Sequence, residues 1–308
     1  MKVVCLGAHI LDILGRPVTD IPAGQGRRVL DEIKLTAAGT AGGTAVDLAK
    51  LGAEVTSIGA VGDDASGRML RLLLTDHGVD ISGLAEKPGT ATPSTILPIR
   101  PDGSRPALHA PGAMGLLVEA DVDLDVIAGA DALHLGGPDV LGDFGIEVLP
   151  RVAEHAAAHG ATVSMDLLSV GRPELLDDLA ALWPHLHYFL PNDDQLRTLT
   201  ASDDLEKGAR TLISRGVGTV AVTRGAQGVL LVSAEDVIEV PALTVDVVDT
   251  TGCGDAFSAG FLVGLLSGRS QVDAAWLGTA AAAQVAQGLG SDAGIVDLAT
   301  TLTLLAAK

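Results

Sequence analysis

The chain has 308 residues, 47% of them hydrophobic and 19% charged, with a formal net charge of −19. That length and apolar content supply one large core and exclude a disordered chain, while 38 glycines and 14 prolines without a G-X-Y period exclude a collagen-like one. The acidic balance leaves no broad cationic face for nucleic acid or an anionic membrane, and two cysteines, Cys5 and Cys253, are too few for a disulfide framework and fit a reducing compartment.

Residues 1–10 hold one lysine and a short apolar run that soon meets Asp12, so 2–7 reads as a first strand and not a signal peptide. Residues 28–36, if extended, put Val29, Asp31, Ile33 and Leu35 on one face. The Gly-rich run 37–44 leads into a helix predicted over 44–51 and closed by Gly52. A strand at 55–61 precedes a helix at 66–77, capped by Ser66 or Asp64 and stopped at Gly78. Residues 95–100 and 105–110 flank the turn Pro101-Asp102-Gly103-Ser104, which predicts a hairpin.

Short apolar strands at 132–136, 162–166, 187–190 and 219–223 then alternate with helices at 144–159, 173–182, 193–199 and 205–215. Residues 243–248 read as one more strand, and 256–266 as a thoroughly apolar helix ended by Gly268. Residues 274–291 are uncharged but rich in Ala, Gly, Gln and Thr, a composition suited to a tightly packed internal helix and not to a membrane span. The fold class that follows is α/β, a doubly wound and mostly parallel sheet covered on both faces, with a small antiparallel sheet inserted as a lid. The main domain takes 1–12, 37–94 and 111–308, and the lid takes 13–36 and 95–110. A soluble, cytoplasmic protein is expected.

The motif richest in chemistry is Asp249-Thr250-Thr251-Gly252-Cys253-Gly254-Asp255-Ala256-Phe257, lying between the predicted strand and the apolar helix. A Gly-rich turn into a helix presents backbone N–H groups and the positive end of the dipole to an anion. Asp255 at that helix start has a plain reading as an N-cap, which alone is the better one. Beside a nest of N–H groups, however, a carboxylate is also placed to take a proton from an alcohol while the N–H groups hold phosphoryl oxygens. Three further stretches are read as possible ligand loops or as ordinary turns: the run around Gly39, Gly42 and Gly43; Pro191-Asn192-Asp193-Asp194-Gln195; and Thr223-Arg224-Gly225-Ala226-Gln227-Gly228. Cys253, within the anion site, is either a reactive thiol or a small residue that fits the turn.

With these residues in hand, the chain resembles the ribokinase-like carbohydrate kinases, the PfkB family, over essentially its whole length. Asp249 to Phe257 matches that family's D-T-T-G-x-G-D-A-F signature at every fixed position, and the Gly39 to Gly52 region followed by Gly62-Asp63-Asp64 is similar to its N-terminal signature in outline. The resemblance implies Asp255 as general base and Gly252, Cys253 and Gly254 as the anion hole. It implies Asp12 and Gly39 as sugar contacts, with Gly43 at the position where the family often has a sugar-binding Asn. It implies Asn192 near metal and phosphates, and Thr223, Gly225 and Gly228 at the nucleotide. Asp249 and Thr251 would bind a monovalent cation, K+, beside ATP and Mg2+ as cofactors.

The sequence departs from the pattern in places. Paired glycines become Ala38-Gly39, and the N-x-x-E motif becomes Asn192-x-x-Gln195, which removes a metal-directed carboxylate that Asp193 or Asp194 would have to replace. The G-A-N after the hairpin becomes Gly112-Ala113-Met114. The expected activity is ATP-dependent phosphorylation of a hydroxyl on a sugar or sugar-like molecule. The alternatives are a nucleoside kinase and a catalytically silent sugar-binding protein on the same fold. The lid segments 13–36 and 95–111 hold no Phe, Tyr or Trp to stack on a base, which favours a sugar. Ile96, Leu97, Ile99 and Leu108 exceed what a thin sheet buries on both faces, so a homodimer through the lid is expected.

Overall fold

The computed structural model describes residues 1–306. Its strands are β1 (Lys2–Gly7), β2 (Ile10–Arg16), β3 (Glu32–Ala38), β4 (Glu54–Gly62), β5 (Asp80–Lys87), β6 (Ser94–Pro98), β7 (Leu108–Ala110), β8 (Ala132–Gly136), β9 (Thr162–Asp166), β10 (Tyr188–Phe189), β11 (Thr219–Thr223), β12 (Val229–Val232) and β13 (Val237–Val240). Its α-helices are α1 (Thr40–Lys50), α2 (Ala65–Asp76), α3 (Leu124–Ala128), α4 (Leu149–Ala158), α5 (Leu175–Asp178), α6 (Asp193–Thr200), α7 (Leu205–Ile213), α8 (Cys253–Leu266), α9 (Gln271–Val285) and α10 (Leu298–Ala306). A π-helical turn, Phe144–Val148, runs into α4.

The large sheet has nine strands in the order β13-β12-β11-β10-β9-β8-β1-β4-β5. Pairing is parallel from β5 to β11, and β12 and β13 close one edge antiparallel. From β1 the chain winds outward to β4 and β5, then resumes on the other side of β1 with β8. That reversal opens a crevice at the carboxyl ends of β1 and β8, where open α/β sheets take their ligands.

β1 shows why the strands read as unbroken apolar runs. Val3 and Cys5 join the core with Ala45, Leu48, Leu262 and Leu277 of α1, α8 and α9. Val4 and Leu6 join the opposite core with Leu149, Leu196 and Leu212 of α4, α6 and α7. With both faces covered, the strand beyond the exposed Lys2 carries no polar side chain. α8 and α9 meet backbone to backbone, since a Cβ on Gly260 would lie 2.8 Å from Gly278 Cα. The small-residue run 274–291 serves this contact, and no helix among the described residues is long and apolar enough to cross a membrane.

The lid is a separate four-stranded sheet, β3-β2-β6-β7. It is mixed and not antiparallel as expected: β2 pairs β6 in parallel, because the chain passes through β4, α2 and β5 of the main domain before returning beside β2. Its strands also reach past 13–36, to Ile10 and Ala38. Two successive rungs divide its faces. Thr36, Asp12, Thr95 and His109 lie opposite one another across the four strands, and Leu35, Ile13, Ile96 and Leu108 form the next rung. Alternation of side chains puts the two rungs on opposite faces.

Three other expectations change. α1 begins at Thr40, so Gly42 and Gly43 sit inside its first turn and not in a loop. The amides of Ala41 and Gly42 start the helix by donating to Ala8 O, at 3.1 and 3.2 Å. Residues 243–248 form no strand; their apolar side chains line a cavity wall instead, and the edge strands before the motif are β12 and β13. Ile99 and Leu97 are buried against Leu14 and Leu289 and are not part of the lid's outer face.

Candidate active site

A cavity of about 730 Å³ lies between the lid and the carboxyl ends of the main sheet. Its lid wall carries Asp12, Thr95 and His109 from the polar rung, with Arg105 from the β6–β7 connection. Its floor carries Gly39, Asp166, Gln195, Gly252, Gly254 and Asp255. A second cavity of about 390 Å³ continues beyond Thr223, Thr250 and Gly254, which border both, and is walled by Gly225, Gly228, Leu243, Val245, Phe257 and Ala283.

The turn before α8 explains the motif. Gly252 is the N-cap at φ 80°, and a Cβ there would meet Ser291 Cα at 2.4 Å, so both backbone conformation and contact require glycine. The cap makes no side-chain hydrogen bond, and Asp255 lies inside the first helical turn. The capping reading of Asp255 is therefore excluded, and its carboxylate is free for chemistry. Burial first and the Asp12 charge second push this carboxyl up to about 7, against the opposing pull of Arg105. Asp12 is likewise pushed up to about 7 by burial, with Thr95 and Arg105 opposing.

Gly43, in the first turn of α1, lies against Asp255: a Cβ on Gly43 would come within 2.6 Å of Asp255 Oδ2. The carboxylate of Asp255 occupies the space a side chain at 43 would take. Gly39, at φ 81°, lines the cavity, and a Cβ there would meet Ala8 O at 2.5 Å.

Asn192 caps α6, accepting from Gln195 N–H at 2.8 Å, while Gln195 Oε1 accepts from Asn192 N–H at 2.8 Å. Gln195 Nε2 donates to Leu167 O and Ser169 O, at 2.8 and 3.1 Å, so this amide tethers the loop after β9. Asp193 and Asp194 do not replace the missing carboxylate, because both turn to Arg197 on the outside of α6. Besides Asp12 and Asp255, a third carboxylate faces the cavity, that of Asp166 at the end of β9. Its Oδ1 accepts from Leu167 N–H at 2.7 Å, and its Oδ2 lies 3.9 Å from where a Cβ on Gly254 would stand. Burial, then repulsion from Asp255, raises its pKa well above the carboxylate range.

Asp249 is buried beneath the turn. Its Oδ1 accepts from Thr251 N–H and Oγ–H at 3.0 and 2.8 Å, and its Oδ2 from Gly290 N–H at 3.0 Å. Arg105 Nε stands 3.8 Å from Oδ1. Cys253 opens α8 with its thiol toward Ala282 O at 3.6 Å, and burial pushes that thiol up to about 12. It is a small residue fitted to the turn and not a reactive thiolate.

Sequence reading missed Asp166, Arg105, Thr95 and His109. Asp166 carried a usable signal, an acid ending an apolar strand in a sheet of this class. Thr95 and His109 enter only through lid register and Arg105 through the β6–β7 connection, neither of which a local pattern reveals.

The arrangement is a carboxylate of raised pKa beside the glycine turn that opens α8, where Cys253 N–H donates to Thr250 O at 3.3 Å; it faces a polar wall, with a partly apolar annex behind the turn. The sequence pattern of the pfkB family carbohydrate kinases matches residues 1–297. Fructokinase-1 of Oryza sativa subsp. japonica is 30% identical over 232 residues, covering 73% of this chain and 72% of the relative. A protein from E. coli described as a ribokinase II, solved with ATP and Mg2+, superposes with a TM-score of 0.86 at 23% identity over 100% of this chain and 99% of that one. The adenosine kinase of Sinorhizobium meliloti superposes with a TM-score of 0.84 at 26% identity, covering 98% of each chain. With the motif intact and the match spanning nearly the whole chain, this protein belongs to the PfkB family of carbohydrate kinases.

Proposed function

We propose that the enzyme transfers the γ-phosphoryl group of ATP to a hydroxyl of a sugar or sugar-like molecule, with Asp255 as general base. The observation that carries this reading is Asp255 itself: inside the first turn of α8, not spent as a cap, beside Gly252 and Gly254 in the main cavity, with a pKa of about 7. In the proposed step the acceptor oxygen attacks the γ-phosphorus, its proton passes to Asp255, and the bond to the ADP oxygen breaks. The amides of Gly252 and Gly254 receive the charge on the phosphoryl oxygens, and that of Cys253 joins them on leaving its 3.3 Å bond to Thr250 O. Asp12, Thr95 and His109 on the lid wall and the backbone at Gly39 hold the other hydroxyls. Thr223, Gly225 and Gly228 border the annex proposed for the nucleotide, with Asn192 at the junction.

Among the described residues no group of three or more His, Cys, Asp or Glu makes a self-contained metal cage. Magnesium is ordinarily held by one or two carboxylates together with phosphate oxygens, and Asp166 offers such a carboxylate. When bound with ATP, Mg2+ offsets phosphate charge. Asp249 and Thr251 remain the proposed ligands of K+, through lone pairs not used in their mutual hydrogen bonds.

A nucleoside acceptor is the second reading, and the main cavity weighs against it. No Phe, Tyr or Trp lines that cavity to stack on a base. A coupled ADP-release assay over pentoses, ketohexoses, sugar acids and nucleosides tests both. Turnover with a sugar supports the first reading, turnover with nucleosides alone supports the second, and none with any acceptor leaves the silent binding protein. We also propose that the outer lid rung, where Ile96 and Leu108 are 52% and 60% exposed, pairs with a second copy of the chain.

A further inference from the structure

The loop between α9 and α10 touches both halves of the site. On the lid side, Lys34 of β3 donates to Leu289 O at 2.9 Å and pairs with Asp292 Oδ1 at 2.6 Å. Ser291 Oγ lies 2.9 Å from Ala37 O, and Leu289 packs with Leu14, Leu97 and Ile99. On the phosphate side, Gly290 N–H donates to Asp249 Oδ2 at 3.0 Å, and Ser291 Cα stands where a Cβ on Gly252 would be, at 2.4 Å. Asp292 is further held by His77 Nε2 at 3.5 Å, and its backbone oxygen accepts from Lys50. Every residue from 289 to 292 is thus tied to the lid, to α1 or α2, or to the turn that forms the anion hole. Arg105 makes a second, direct link from the lid to Asp249.

These contacts matter because they add a second route to the one through α1, which follows β3 directly and packs on α8. The lid holds the acceptor groups Asp12, Thr95 and His109, and the turn holds Gly252 and Asp255. A shift of β3 must drag Leu289 and Asp292 with it, since an ion pair, a hydrogen bond and an apolar cluster all span the junction. Gly290 and Ser291 sit between those anchors, so the shift reaches Asp249 and Gly252.

We propose that residues 289–292 couple the lid to the anion hole, with Lys34 and Asp292 as the positioning pair. Filling the nucleotide side then tightens the lid, and by linkage filling the lid side tightens the nucleotide side. The proposal rests on the kinase reading above and adds to it that the two substrates bind with positive cooperativity.

The test is hydrogen–deuterium exchange on the full chain with Mg2+ and AMP-PNP as the probe and no sugar. In the wild type, exchange slows at 223–229, beside the nucleotide annex, and also at 32–38 and 94–98 in the lid. Couplings of this kind span roughly 5–150-fold, so lid protection of about fivefold or more is expected. Lys34→Met keeps the apolar stem and removes the charge; it retains protection at 223–229 and loses it in the lid. Asp292→Asn, close to isosteric, does the same by the other partner, and Lys34→Arg restores the lid response. Wild-type protection at 223–229 without any in the lid overturns the coupling. A full lid response in both Lys34→Met and Asp292→Asn overturns the role of the pair. Absence of protection at 223–229 in the wild type removes the kinase reading and this proposal together.

Discussion

The turn at Asp249–Asp255 and the lid rung at Asp12–Thr95–His109 face each other across one cavity but are built in opposite ways. The turn is backed by α8, which is buried for most of its length, and its geometry is fixed by backbone contacts too close for any side chain at Gly252. The lid is one sheet thick. Its inner face is a polar rung set by cross-strand register, and its outer face leaves Ile33, Ile96 and Leu108 more than half exposed. On the function proposed above, chemistry falls to the deeply backed turn and acceptor choice to the thin sheet. Reaction geometry tolerates little displacement, whereas a peripheral sheet accepts substitutions without disturbing the core.

Gly43→Ala breaks the rigid side from behind. The new Cβ would stand 2.6 Å from Asp255 Oδ2, so the base must turn away. Misplacing a reacting group by about 1 Å costs on the order of 10²-fold. A fall of that size in kcat, with AMP-PNP affinity unchanged by titration calorimetry, is expected. A variant of wild-type rate would show that the contact behind the base has no bearing on catalysis.

Asp12→Ala acts on the lid side first, while also removing the charge that adds to the raised pKa of Asp255. Losing a charge-assisted hydrogen bond costs roughly 1.5–3 kcal/mol, about 10- to 150-fold in affinity. That loss is expected in KM for the acceptor and not in KM for ATP. Equal rises in both would mean that the lid wall and the nucleotide annex are not separate.

The pH profile sharpens the comparison further. Asp255 must be ionised to accept a proton, and burial, reinforced by Asp12, has raised its pKa to about 7. Asp12, raised to about 7 chiefly by burial, loses its charge over the same range. The acceptor kcat/KM should therefore fall as pH drops through about 7, by about tenfold or more per unit below it. A profile flat from pH 8 to about 5.5 would contradict the raised base.

Ile96→Asp carries the smallest effect on rate. It puts a charge on the exposed outer rung, so light scattering at micromolar concentration should change from dimer to monomer while kcat stays near wild type. A monomeric wild type, or a variant that dimerises unchanged, would leave the outer rung without an interface role.

How far the sequence alone reaches follows the same division. The turn before α8 was legible because its residues are contiguous and Gly252 answers a local demand. β1, β8, β9 and β11 were legible to the residue because strands buried on both faces are mostly apolar. Residues 243–248 misled because an apolar loop lining a cavity has the composition of a strand. The close contact that leaves no room for a side chain at Gly43 is invisible in the sequence, because its partner, the carboxylate of Asp255, lies 212 residues further along the chain. Thr95 and His109 share no pattern with Asp12 until β2, β6 and β7 set their register. Asp166 could have been found from its place at a strand's carboxyl end, but nothing in the sequence said that its oxygen faces Gly254.

The most direct test of the account is Asp255→Asn, measured for turnover and for Mg2+·AMP-PNP binding on the same preparation. The amide keeps size and polarity but cannot take the acceptor's proton. The account predicts that kcat falls by about 10²–10⁴-fold while nucleotide affinity stays within about twofold of wild type. A variant with near wild-type kcat would contradict it, because the free carboxylate at the head of α8 would then have no part in the reaction.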